Sequence, residues 1–136
     1  MSVRRQIARL LLGAEAAVVL TCATMAIRLL GPTRTTRLLG RAARSDSSEA
    51  GALPSDRVRH LGRAVERVAG FLPWHPKCLP QAIATKAMLR RRGIACYSHL
   101  GVINSDPVTA HAWVTVGGTV VQGGPVGHVT ELALFR

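Results

Sequence analysis

Cys78 and His111 are the residues of this sequence best suited to nucleophilic chemistry, and their settings differ from those of every other cysteine and histidine. Cys78 follows Phe71-Leu72-Pro73-Trp74-His75-Pro76-Lys77, whose two prolines forbid continued helix and hold the chain extended. After it, Leu79 to Arg92 reads as a helix, with Pro80 in its tolerated first turn and Gly93 as its C-terminal cap. A cysteine at a helix start lies where the positive end of the helix dipole favours the thiolate and unpaired amides can hold an oxyanion. His111 falls on a strand from Ala110 to Val116, where alternation gives His111, Trp113 and Thr115 one face and Ala112, Val114 and Val116 the other. An imidazole so placed can take a thiol proton and later return it to a leaving amine. Cys22 and Cys96 have the apolar neighbours of structural cysteines, and His60, His75, His99 and His128 read as structural or solvated.

Helices come first among the elements that must position this pair. Helix formers dominate from Val3 to Leu30, Gly31-Pro32 stops the run, and a second short helix is expected from about Thr35 to Arg44. The polar stretch Ser45 to Gly51 reads as a linker, so the expected organisation is a basic helical segment at 1–50 and a catalytic domain at 51–136. Ser55 or Asp56 can cap a helix that carries Val58, Leu61, Val65, Val68 and Ala69 at helical period and ends near Gly70. In the helix after Cys78, Leu79, Ile83, Ala87 and Met88 form the expected inner face. Beyond it the period changes: Ile94 to Ile103 and Ala110 to Val116 read as strands, Gly117-Gly118 as a hairpin turn and Thr119 to Gln122 as the returning strand. The fold class is therefore α+β, with N-terminal helices before a helix packed on antiparallel sheet.

Charge and composition narrow the functional classes. Eighteen Lys plus Arg face seven Asp plus Glu, a net charge of +11, and the excess is strongest before residue 45. Such a field favours acidic partners, but specific nucleic-acid recognition is not expected. Two Trp, one Tyr and two Phe give little stacking surface, and no zinc-finger spacing occurs. Three widely spaced cysteines, an odd number, argue against a disulfide framework or a structural zinc and fit a reducing cytoplasm. The uncharged run from Ala16 to Ile27 is short for a bilayer span, so Leu10 to Leu30 reads as a docked helix, with peripheral membrane contact as the alternative. No Gly-x-x-x-x-Gly-Lys loop is present, no metal or other cofactor is expected, and any ATP requirement should belong to a partner.

A cysteine at a helix start followed by a histidine on a later strand is the chain order of papain-like and transglutaminase-like enzymes. Trp74, Cys78-Leu79-Pro80-Gln81-Ala82, Leu89-Arg90-Arg91-Arg92-Gly93-Ile94, Gly101-Val102 and Ala110-His111-Ala112-Trp113-Val114 together resemble the transglutaminase-like domain of lasso peptide biosynthesis B proteins. The likeness runs from about residue 57 to the C-terminus, and the Arg-rich front looks like that of the family's stand-alone proteases. The resemblance implies a leader peptidase with Cys78 as nucleophile and His111 as base. Its substrate would be a ribosomally made precursor peptide, a separate leader-binding protein would present it, and an ATP-dependent cyclase would follow. Trp74 and Trp113 are the candidate substrate contacts.

One departure stands out. The family usually carries an acid on the strand after the His-Ala-Trp strand, where this chain has Gln122-Gly123-Gly124. A two-residue hairpin pairing Val116 with Thr119 sets His111 opposite Gly124 and makes Gln122 its diagonal neighbour, able to orient the imidazole through its amide oxygen. Asp106 in the Asn104-Ser105-Asp106-Pro107 loop is the rival orienter, although turn chemistry accounts for it too. Gln81, one turn beyond Cys78, is a candidate donor near the oxyanion. Two other classes remain open: a transglutaminase-like scaffold that lost activity with its acid, and a basic helical module binding nucleic acid or anionic lipid.

Overall fold

The computed structural model describes residues 2–43 and 53–136. Its elements are α1 (Val3–Leu30), α2 (Pro32–Thr35), a 3-10 turn (Thr36–Leu39), β1 (Ala42–Ala43), α3 (Asp56–Phe71), α4 (Cys78–Arg91), β2 (Tyr97–Ile103), β3 (Thr109–Val116), β4 (Thr119–Gln122) and β5 (Val129–Phe135). The strands form one five-stranded antiparallel sheet in the order β1-β5-β2-β3-β4. This is the expected α+β arrangement, with a cysteine-bearing helix against antiparallel sheet.

Helix α3 starts where its cap predicts: the Ser55 hydroxyl accepts the Val58 N–H at 3.4 Å, satisfying one of the orphan amides of the first turn. Val58, Leu61, Val65 and Ala69 are buried along it, four of the five apolar positions its period marks. Helix α4 packs against α1, α3 and β3. Because it is covered on several sides, its buried set is wider than one stripe: Pro80, Ala82, Ile83, Ala84, Thr85, Lys86, Met88 and Leu89. Small residues at Ala82 and Ala84 let neighbouring elements approach. The Lys86 Nζ donates to the Leu39 carbonyl and so ties the 3-10 turn to α4. Burial lowers the pKa of this ammonium from its ordinary 10.5.

Several expectations are corrected. The second helix does not run to Arg44. It is one turn of α-helix and one of 3-10, then Gly40 at φ +113° turns the chain into β1, which pairs Ala42 with Phe135 and Ala43 with Leu134. A Cβ at Gly40 would sit 2.0 Å from the Arg136 carbonyl oxygen, so only glycine fits this turn. Strand β5 was not expected, and it inserts between β1 and β2. The linker expected over 45–51 lies outside the described residues. On either side of it the chain shares one core: Ala16, Leu20, Ala23 and Leu39 from the first part pack with Leu61, Val65, Met88 and Val114 from the second.

Helix α1 is long and apolar enough, by length and composition, to cross a membrane, and 17% of that apolar window is buried. Its buried residues are Ala16, Leu20 and Ala23. Val3, Ile7, Leu10, Leu11, Val18, Met25 and Leu29 are exposed. Glu15 binds Arg92 through both oxygens, at 3.0 and 2.7 Å, and Arg91 at 2.8 Å, fastening α1 to the end of α4.

Candidate active site

Cys78 is the first residue of α4. The Lys77 side chain gives the helix no capping hydrogen bond, and Pro80 has no N–H, which leaves the Cys78 and Leu79 amides as the first-turn donors that an oxyanion would draw on. Cys78 is half-buried, and its thiol donates to the Ala110 carbonyl at 3.8 Å. The nucleophile candidate therefore lies against β3 at the residue immediately before His111. The thiol meets this carbonyl and not the imidazole, an arrangement that a substrate-free site permits, because catalytic hydrogen bonds often tighten only on binding.

His111 is also half-buried, and its Nε2 lies 2.5 Å from the Gly123 carbonyl oxygen. A carbonyl can only accept, so Nε2 carries a proton, and in the neutral ring Nδ1 keeps its lone pair. That is the tautomer a base needs if it is to take a thiol proton through Nδ1. The ring also stacks with Trp113, centroids 5.9 Å apart. Trp113 stacks in turn with His99 at 5.0 Å. His99 Nε2 pairs with the Thr115 hydroxyl at 2.7 Å and its Nδ1 with Glu131. His99, expected to be structural or solvated, thus anchors the ring that flanks His111. Trp113 itself is 5% exposed. The expectation of Trp113 as a substrate contact is corrected, since its surface is taken up within the protein. Trp74 at 41% and Phe71 at 81% exposed are the aromatic surface before Cys78.

Gln122 does not orient His111. Val116 pairs with Thr119 and Thr115 with Val120 as the hairpin predicts, but a bulge then sets Val114 opposite Gln122. The extra residue turns Gln122 to the Val114 face of the sheet, away from His111 and Trp113. There it is 2% exposed, its Nε2 donates to Gln81 Oε1 at 3.2 Å, and its Oε1 has no partner among the described residues. Gln81 Nε2 donates in turn to the Pro76 carbonyl at 2.9 Å. The expected oxyanion donor Gln81 is committed to holding the segment that delivers Cys78. Asp106 is exposed at the tip of the β2–β3 hairpin, before the cis peptide to Pro107, so neither sequence-named orienter meets the imidazole.

A carboxylate missed in the sequence lies close by: the Gly123 N–H donates to Glu66 Oε1 on α3 at 2.8 Å. No local motif marks it, because the contact joins a mid-helix position to a residue beyond a bulge.

A family model described as the transglutaminase-like superfamily matches residues 16–133. The chain belongs to the transglutaminase-like superfamily. The match begins at the middle of α1, so the second half of α1 and the 3-10 turn fall inside the matched region. Neither the curated proteins nor the solved structures compared with this chain give a significant match.

Proposed function

We propose that this transglutaminase-like protein is a cysteine peptidase that removes the leader from a ribosomally synthesised lasso peptide precursor. The observation that carries the reading is the seating of Cys78, at the start of α4, against the residue before His111, whose Nδ1 is left as the acceptor. The His111 Nδ1 takes the Cys78 proton, and the thiolate attacks the scissile carbonyl at the junction of leader and core. The first-turn amides of α4 hold the oxyanion. The imidazolium gives its proton to the leaving amine, which frees the core N-terminus. Water, activated by the same imidazole, then hydrolyses the thioester to leader carboxylate and free thiol. Trp74 is the proposed contact for the peptide entering this site.

The partners in this reading are the precursor, a separate leader-binding recognition protein and an ATP-dependent cyclase that consumes the freed amine. The setting is cytoplasmic, with peripheral membrane contact through the outer face of α1. Supplying the recognition protein raises the local precursor concentration, so at low precursor it should accelerate cleavage strongly. Mass spectrometry of the products with and without that protein tests the reading, and cleavage unaffected by its addition contradicts it. A second reading, an inactive scaffold for the maturation complex, is favoured by Gln122-Gly123-Gly124 standing where the family's acid is expected. It predicts no turnover in either mixture.

A further inference from the structure

We propose that Glu66 is the positioning residue for His111, acting through the backbone of Gly123. The inference rests on the reading of His111 as a working base.

Helix α3 is brought onto the end of β4 at Gly62, where a Cβ would sit 1.9 Å from the Val121 carbonyl oxygen. Glu66 lies one turn further on the same side of the helix, and from there its carboxylate accepts the Gly123 N–H at 2.8 Å. Gly123 follows the last residue of β4, beyond the bulge, so its own N–H and carbonyl are free of the strand ladder. Its φ is +90°, and a Cβ there would meet Trp113 Cβ at 2.8 Å and the Ala112 carbonyl oxygen at 2.9 Å. The two polar groups of this one glycine therefore join a carboxylate on α3 to the imidazole on β3, the Gly123 carbonyl accepting the Nε2 proton.

An acid bonded directly to a catalytic histidine fixes the tautomer and the ring orientation. Here the carboxylate fixes the residue whose carbonyl does so, through the peptide on that residue's other side. Without Glu66 the Gly123 N–H loses its acceptor, the turn after β4 is released, and the Nε2 proton loses a held partner. Protonation then shifts toward Nδ1, the nitrogen that must be bare to receive the thiol proton. No proton passes to Glu66: it keeps the Gly123 N–H throughout, while the transferred proton moves from Sγ to Nδ1 and on to the leaving amine.

The test is 15N NMR of the histidine ring nitrogens in the full chain, with His111 assigned from a His111→Ala spectrum, and it needs no substrate. The wild type should show a protonated Nε2 and a bare Nδ1 at a pH where the ring is neutral. Glu66→Gln, whose amide oxygen can still accept the Gly123 N–H, should keep that pattern, and Glu66→Ala should give a mixture of tautomers. In leader cleavage Glu66→Ala should lower kcat roughly tenfold or more with little change in KM, because Glu66 positions the base without touching the peptide. An unaltered tautomer in Glu66→Ala overturns the proposal, as does equal loss in Glu66→Gln and Glu66→Ala. Should the wild type cleave no precursor, the peptidase reading fails while the ring spectra still decide the role of Glu66.

Discussion

A backbone carbonyl can hold an imidazole tautomer as firmly as a side chain, but it brings no charge to the imidazolium that forms during the reaction. His111 is held in this way by Gly123, and Gln122 works elsewhere, in a buried amide chain that runs through Gln81 to Pro76. Gln122→Ala should therefore act first on stability. Loss of the hydrogen bond and the cavity left behind should cost about 1–3 kcal/mol in denaturant unfolding, with a much smaller activity loss than His111→Ala. Asp106→Ala should be silent in both assays. Cys78 and His111 were legible because each sits in an unambiguous local pattern, one after a proline-bounded extended stretch and one on an alternating strand. The orienter was not. A register counted from Gly117-Gly118 runs true only to Thr115, because opposite the Val114–Thr115 step β4 carries one extra residue, Val121, that no local signal announces.

At the scale of elements, α1 is fixed at its middle by charge, through Glu15, and by packing from there to Ala23. Hydrogen bonding to Arg92 holds the Glu15 carboxyl below its ordinary 4.5, partial burial opposes this, and the charges of Arg92 and Arg91 add to the lowering. A carboxyl with a lowered folded-state value stabilises the fold above its ordinary range and loses that contribution as pH falls through the folded value. Glu15→Gln should thus cost about 1 kcal/mol at neutral pH, and the gap between its melting temperature and that of the wild type should close as pH drops below about 4. The outer face of α1 carries Val3, Ile7, Leu11, Val18 and Met25 exposed. If this face docks peripherally, as proposed, alkaline carbonate should release the protein from membranes, and resistance to carbonate would show an integral helix instead. Helices α1, α3 and α4 and the β3–β4 hairpin could be read from composition, period and turn residues. β5 escaped because its Thr130, Glu131 and Leu132 are all exposed, so no in-out alternation marks it. β1 escaped because two residues make no pattern, and its pairing depends on the far end of the chain.

On the scale of the whole molecule, the basic N-terminal part is built into the fold. Leu20 and Leu39 are fully buried, each contributing about 1.5–3 kcal/mol, and β1 forms one edge of the sheet. A chain beginning at residue 53 should accordingly lose cooperative thermal unfolding, and a sharp transition near that of the full chain would contradict this view of the core. The family match from residue 16 onward agrees with a core of this extent.

In the proposed mechanism Cys78 performs the chemistry with His111 as its base. Leader cleavage of the precursor by the full chain, with the recognition protein present and products read by mass spectrometry, tests it most directly. The wild type should release leader and core, Cys78→Ala should release neither, and His111→Ala should be slowed roughly a thousandfold or more, since nucleophile and base act as one unit. Both variants should keep the wild-type circular dichroism spectrum. Cleavage by Cys78→Ala at the wild-type rate would contradict the account.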